Sequence, residues 1–196
     1  MESHASLVAV HPPLTLFGRN VRSSITQLTV LDEIFRSGDN YTVTDTDGNT
    51  IIRAKAEEWS RLNKKIVYDE MLRPVGEIHD KGLSLHHVVE FTSNTGELLL
   101  KASFHAGTNG MPSFRVNVGN NLELGVFGDW KLHAADIMTS HGTLLARGSH
   151  ENEWREGDAA LPERQYKLDV APGVDLALVA VVCLCLDLVH MHVSKK

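Results

Sequence analysis

Four basic residues form the densest positive group in the sequence and are the side chains best suited to bind an anion. They are Arg61, Lys64, Lys65 and Arg73. Near a charged membrane each basic residue contributes about 1 kcal/mol, so this group predicts contact with an anionic ligand such as a phosphoinositide head group. Acidic residues are interleaved with them, namely Glu57, Glu58, Asp69 and Glu70. The alternation favours the other interpretation, a solvated surface of mixed charge.

A second segment with chemical potential is Asp45–Asn49, whose acidic residues and glycine resemble part of a calcium loop. An EF-hand requires a bidentate Glu six residues after its glycine, but Ala54 stands at that position. Apolar and polar residues alternate on both sides of the segment. The sequence therefore predicts a β-hairpin with Asp47-Gly48 as its two-residue turn.

Eleven histidines and two cysteines raise the question of a metal site. No HExxH or CxxC motif occurs, and zinc usually needs three or four convergent ligands. His79 and His105 stay open as a pair that meets across strands. The prediction is no metal and no cofactor, with Cys183 and Cys185 as small buried residues.

Enzyme motifs are also missing from the sequence, including GxSxG, the P-loop and GxGxxG. Ser84 and His86 are close in sequence, but a catalytic triad is defined by geometry and not by such proximity. The sequence names no catalytic residue. An enzyme or small-ligand carrier with its site at the mouth of a barrel is kept as an alternative.

Composition narrows the class of protein. The chain has 196 residues, 42% of them apolar, which is enough for a sizeable core. A net charge of −6 makes a nucleic-acid partner unexpected. Two cysteines exclude a disulfide-stapled secreted fold, and residues 1–12 lack the apolar core of a signal peptide. We expect a cytoplasmic protein, with nuclear or peripheral membrane residence as variants.

The elements that position these groups include a C-terminal helix. Every residue from Leu176 to Leu186 is apolar, and Asp175 and Asp187 bracket the run. Eleven residues cover about 16 Å, roughly half of a bilayer core. A helix that is apolar all round must be enclosed. The sequence therefore predicts a buried helix that starts near Pro172.

The rest of the chain is typical of ten to twelve short strands in hairpin pairs, each with one apolar face. Lys65–Asp69 and Trp130–Ala134 are examples. Such strands and one fully apolar helix combine most simply into a mainly β fold, a closed antiparallel barrel around the helix. A β-sandwich and two separate sheets are the alternatives. We expect a flexible tail over residues 1–12 and a single domain over residues 13–196.

The order of motifs resembles the LURP-one-related family, which shares a tubby C-terminal-like fold with tubby proteins and phospholipid scramblases. The matching stretches are Tyr41–Asn49, Lys81–His86, Gly96–Leu99 and Tyr166–Leu178. The resemblance implies a twelve-stranded barrel around a central helix. Tubby relatives bind phosphoinositides through basic residues and scramblases act at membranes. No position here matches the tubby basic site, so no lipid ligand is carried over.

Three functions remain as hypotheses. The first is a non-enzymatic binding or adaptor barrel that contacts a protein partner or an anionic lipid head group. The second is a membrane-associated, scramblase-like lipid-moving protein with the helix in lipid. The third is the barrel-mouth enzyme or small-ligand carrier.

Overall fold

In the described part of the chain, a closed antiparallel barrel of twelve strands encloses one helix. The computed structural model describes residues 6–18, 20–35, 38–57, 64–81, 87–106, 112–119, 121–130, 134–148 and 163–193. The strands are β1 (Thr26–Phe35), β2 (Gly38–Thr44), β3 (Thr50–Ala56), β4 (Lys65–Asp69), β5 (Pro74–Asp80), β6 (Val88–Ser93), β7 (Leu98–Ala106), β8 (Pro112–Val118), β9 (Leu122–Asp129), β10 (Ala134–Thr139), β11 (Leu144–Gly148) and β12 (Glu163–Val170). Each strand pairs with its neighbours in sequence, and β1 closes the barrel against β12. The predicted barrel is confirmed.

The helix α1 (Leu176–Val193) fills the barrel. Every residue from Leu176 to Leu186 is at most 2% exposed, and α1 contacts β1, β3, β5, β6 and β7. Burial on all sides is therefore confirmed. The helix begins at Leu176 and not near Pro172, because Pro172 and Gly173 form a turn in front of it. A Cβ at Gly173 would lie 2.3 Å from the carbonyl oxygen of Val10, so this approach requires glycine.

Two strands differ from the sequence analysis. Strand β1 was not predicted, because Asp32 and Glu33 interrupt its apolar alternation, yet it pairs along most of its length with both β2 and β12. The strand expected over Trp130–Ala134 falls mostly on residues 131–133, which lie outside the described part; Trp130 itself is not in a strand, and β10 starts at Ala134. Trp130 lies before β10 and is buried, so its apolar character reflects packing against the core and not strand alternation.

Four of the hairpin turns share one design. A side-chain oxygen of the first residue accepts a hydrogen bond from the N–H four residues later, and the fourth residue has a positive φ. The first residues are Asp45, Asp69, Ser93 and Thr139. The positive-φ residues are Gly48, Leu72, Gly96 and Gly142. The loop after β2 is thus a three-residue loop with a bulge and not the predicted two-residue turn.

Candidate binding surface at the capped end of the barrel

The residues before β1 close the end of the barrel where α1 begins. We call residues 6–18 and 20–25 the N-terminal strap and this end the capped end. Val10 N–H donates to the Pro172 carbonyl at 2.8 Å, and Leu14 N–H donates to the Gly173 carbonyl at 2.9 Å. Val10 is 8% exposed, so the packed part of the chain begins before residue 13. The flexibility expected over residues 1–12 stays a prediction, and residues 1–5 lie outside the described part.

The strap is anchored to the helix by the carboxylate of Asp175, which is fully buried. Its Oδ2 accepts hydrogen bonds from the backbone N–H groups of Leu16, Phe17 and Gly18 at 3.0 to 3.3 Å. Its Oδ1 accepts one from Ala177 N–H at 3.0 Å, which caps the first turn of α1. A buried charge with four N–H donors at the positive end of a helix is well compensated.

Beside the strap lies a cleft of about 280 Å³. Its apolar lining includes Ile52, Val75 and Ala177, and Phe17 of the strap contributes an aromatic wall. The Phe17 ring meets the Phe91 ring edge-on at a centroid distance of 6.0 Å. Polar side chains also line the cleft, namely Asn20, Asp69, Glu70 and Arg73. The cleft thus combines an apolar surface with a charged rim, which is the usual make-up of a binding site.

Arg73, a predicted anion ligand, is held by Asp69 at this rim. Its Nε and Nη2 donate to Oδ2 of Asp69 at 2.9 and 2.7 Å. Burial on its own raises the pKa of Asp69, but the hydrogen bonds from the Arg73 side chain and from nearby backbone N–H groups outweigh it and lower that pKa. The Arg73 side chain remains 54% exposed, so one of the four predicted ligands reaches both cleft and solvent.

The structure does not bring Lys64 or Lys65, two further predicted anion ligands, to the same place. Lys64 precedes β4, and its Nζ lies 2.9 Å from Glu77 Oε1, a hydrogen bond that raises the pKa of Lys64 and lowers that of Glu77. Lys65 is only 4% exposed, with its Nζ 5.1 Å from the centre of the Tyr41 ring. Arg61 lies outside the described residues.

Lys64 and Arg73 are separated by the length of β4, about 13 Å for four residues of strand. The two side chains therefore sit at opposite ends of the β4–β5 hairpin, each beside a carboxylate. The predicted group is not one continuous basic surface among the residues that the structure describes. Its role in binding an anion stays a prediction.

The other end of α1 carries a polar cluster that the sequence analysis did not identify. Asp187 accepts hydrogen bonds from Trp130 Nε1 at 2.9 Å and from the Tyr166 hydroxyl at 2.7 Å. Burial raises the pKa of Tyr166 well above its usual value, so the hydroxyl keeps its proton and acts as a donor. The signal in the sequence that could have revealed this cluster was Asp187, a single acidic residue directly after the apolar run. The cluster fastens α1 to the barrel wall.

The thiols and histidines were the candidates for a metal site in the sequence. Cys183 and Cys185 are buried and free, and burial raises the pKa of both thiols, so the prediction of small buried residues is confirmed. Across the described ranges, no group of three or more His, Cys, Asp or Glu side chains has the geometry to hold a metal. The His105 side chain is not described, so its pairing with His79 stays untested.

A membrane-spanning role for the helix was also considered. Over the residues that the structure covers, no helix combines the length and the hydrophobicity that crossing a bilayer requires. Instead, α1 meets protein on all sides.

Fold and surface together define a class: a closed twelve-stranded barrel plugged by a hydrophobic helix, with its accessible groups on the outside. The chain belongs to the LURP-one-related family, which it matches over residues 26–187. The resemblance found in the sequence is thereby confirmed. The family match includes the whole barrel and most of α1.

A solved structure supports the same fold. The chain is similar to a protein from Arabidopsis thaliana of known X-ray structure, with 17% identity and a TM-score of 0.59. The similarity covers 85% of this chain and 92% of the other. At this identity the likeness concerns the fold alone. No curated protein matches the chain in sequence.

Proposed function

We propose that this LURP-one-related protein is a non-enzymatic binding or adaptor barrel that recognises its ligand on its outer surface. The observation that supports the proposal is the filling of the barrel by α1, whose residues Leu176–Leu186 are almost fully buried. A barrel of this kind offers its interior to its own helix and not to a substrate. The same enclosure speaks against the scramblase-like alternative, in which α1 would lie in lipid.

The size of the cleft agrees with an external binding role. Pockets for drug-sized ligands measure about 300–1,000 Å³ and bury most of the ligand. The cleft at the capped end, with about 280 Å³, lies at the lower limit of that range. It suits one or two protruding side chains of a partner better than a cofactor.

Photo-crosslinking from defined outer positions tests the proposal. A photoreactive residue is placed singly at Met71, Lys101 or Phe127, all of which are exposed. We expect one position to give a discrete adduct in cells while the other two do not. In parallel, native mass spectrometry of the purified chain should show the mass of the protein alone. A retained small molecule without any outer adduct would contradict the proposal and favour the barrel-mouth alternative.

Contact with an anionic lipid head group is a second candidate, and the exposure of Arg73 at the cleft rim favours it. A phosphate must compete there with Asp69, just as it must compete with Glu77 for Lys64. We therefore expect weak binding that is strongest at low salt, because exposed charges are screened within about 8 Å at physiological ionic strength.

Vesicle flotation with and without phosphoinositide tests this candidate. Lys64→Gln and Arg73→Gln should each reduce flotation, whereas Lys101→Gln, at an exposed lysine on β7, serves as the control. Lys65 is left unchanged because it is buried. The candidate is wrong if the wild type fails to float with phosphoinositide vesicles at low salt, or if all three variants float equally.

A further inference from the structure

The β4–β5 turn differs from its three counterparts in the residue at the positive-φ position. Glycine occupies this position in the other three turns, whereas Leu72 occupies it here with φ 60. A left-handed backbone crowds the Cβ of a leucine, so this conformation costs energy that glycine avoids. Leu72 is nevertheless 55% exposed, and Met71 beside it is 68% exposed. The turn carries strain and two exposed apolar side chains.

Folding does not account for these two side chains. Neither belongs to the hydrophobic core nor to the partly buried residues packed against it. Backbone strain that is not offset by packing is characteristic of functional sites. The strained turn also adjoins the cleft, because Glu70 and Arg73 belong to the turn and line the cleft. Met71 and Leu72 thus lie between two residues that line the cleft.

The charge around this surface is negative. Asp47, Glu70 and Glu97 are exposed on three neighbouring turns, and no close ion pair joins any of them to a described basic side chain, although the charge of Glu70 also acts on Arg73. The turns are neighbours because β3 pairs with β4 and β5 with β6, and Asn94 Nδ2 donates to the Pro74 carbonyl. Two basic side chains described near these turns are paired with carboxylates, Arg22 with Asp45 and Arg73 with Asp69.

We infer that the Met71–Leu72 turn and the adjoining cleft form a docking site for a protein segment that presents apolar side chains flanked by lysine or arginine. The apolar residues of the partner contact Met71, Leu72 and the cleft lining, and its basic residues meet the exposed carboxylates of Asp47, Glu70 and Glu97. Charge complementarity selects this occupant over an anionic membrane, which the same carboxylates repel. The inference rests on the proposed function, since it names the partner chemistry of an outer binding surface.

Fluorescence polarisation with three short synthetic peptides tests the inference. The first peptide carries two leucines flanked by lysines, the second carries the leucines flanked by glutamates, and the third carries two serines flanked by lysines. We expect the first to bind most tightly and to weaken with salt. Leu72→Gly should weaken its binding about tenfold or more, because burying one leucine contributes about 1.5–3 kcal/mol. Met71→Ser should act in the same direction.

The variant Leu72→Gly separates binding from folding. It deletes the side chain and relieves the backbone, so its melting temperature should equal or exceed that of the wild type. Phe127→Ser is the matched control, since Phe127 is 59% exposed on β9, four strands away from β5. It should leave peptide binding unchanged. Equal binding by wild type and Leu72→Gly, equal binding of all three peptides, or no binding of the first peptide would overturn the inference.

Two other occupants have their own tests. If wild type but not Leu72→Gly floats with phosphatidylcholine vesicles, the turn is a lipid anchor and the inference is wrong. If wild type sediments as a dimer and Leu72→Gly as a monomer, a second copy of the chain occupies the site, which also overturns it. Crosslinking from Lys101 or Phe127 with unaffected peptide binding by Leu72→Gly would refute this site alone, leaving the outer binding barrel intact.

Discussion

An aspartate lies at each end of the apolar run Leu176–Leu186 of α1, and the protein compensates the two charges differently. Asp175 is held by backbone N–H groups, three of them from the strap. Asp187 is held by the side chains of Trp130 and Tyr166. Backbone donors exist whatever the side chains are, so the first arrangement depends on the path of the strap. The second depends on two particular residues, and substitutions should therefore affect the two ends differently.

The largest effect is expected from an acid placed between these two ends. Ala180 is fully buried midway along the apolar run. Ala180→Asp puts a carboxylate far from both the backbone N–H donors of Asp175 and the side-chain donors of Asp187. We expect the free energy of unfolding to fall by more than about 4 kcal/mol, or folding to be abolished. Urea unfolding and soluble yield measure this, with Ala180→Ser as the control whose hydroxyl bonds within the helix. A soluble variant with unchanged melting would contradict the buried placement of α1.

Removal of the acid at the capped end should have the next largest effect. Asp175→Ala deletes the helix cap and removes the acceptor of three partly buried N–H groups of the strap, at a cost of about 3 kcal/mol. Asp175→Asn, which keeps an acceptor oxygen, should lose less. Urea unfolding gives the energies, and hydrogen exchange of Phe17 N–H reports locally on the strap. Full protection of that N–H in Asp175→Ala would show that the strap does not depend on this carboxylate.

A smaller loss is expected at the other end of α1. Tyr166→Phe removes one hydroxyl donor from Asp187 and should cost about 1–3 kcal/mol in the free energy of unfolding. Tyr68→Phe is the control, since Tyr68 is only half-buried in β4. If the two variants lose the same stability, the hydroxyl bond to Asp187 does not fasten the helix.

The β4–β5 turn offers a change of opposite sign. Leu72→Gly should raise the free energy of unfolding by about 1 kcal/mol, because the left-handed conformation no longer crowds a Cβ. The reciprocal variant Gly96→Leu should lose a similar amount, since Gly96 has φ 82 and open space around it. Equal and opposite shifts in thermal unfolding would confirm that the four turns share one design. A loss of stability in Leu72→Gly would show that the leucine serves folding.

The smallest expected effect is on the stability of the protein at acid pH. Asp69 at the capped end has a lowered pKa, since hydrogen bonds from Arg73 and backbone N–H groups outweigh the opposing effect of burial. The folded state therefore binds this proton less tightly than the unfolded chain. The stabilisation is fully present above the ordinary Asp pKa of 3.8 and is lost as pH falls through the lowered folded-state pKa. Unfolding midpoints measured from neutral to acid pH should fall less steeply for Asp69→Asn, and parallel curves would refute this.

Local pattern predicted the barrel and the helix because the strands alternate between apolar and polar residues and the helix is one unbroken apolar run. Alternation marked segments such as Lys65–Asp69, and the run Leu176–Leu186 had no polar face. The same reasoning missed β1, where Asp32 breaks the alternation, and it grouped Lys64 with Arg73 because they are close in sequence. A strand between two residues separates them in space, so closeness along the chain does not make a basic surface.

The candidate docking surface was harder to anticipate. The sequence contains Met71 and Leu72 between polar neighbours, but only the backbone reveals that Leu72 occupies a glycine position. The cleft requires Phe17 of the strap to lie beside Val75 of β5, and no periodicity relates residues so far apart in the chain.

The amino-acid sequence alone determined that strands with one apolar face surround a fully apolar helix. Hydrophobic residues have to be enclosed, and their spacing along the chain shows which face of each element is buried. Only the tertiary structure decided that the strap closes one end of the barrel, because its hydrogen bonds are made by backbone groups that every residue possesses. Tertiary structure likewise decided which charges pair, since ion pairs depend on distance in space and not on order along the chain.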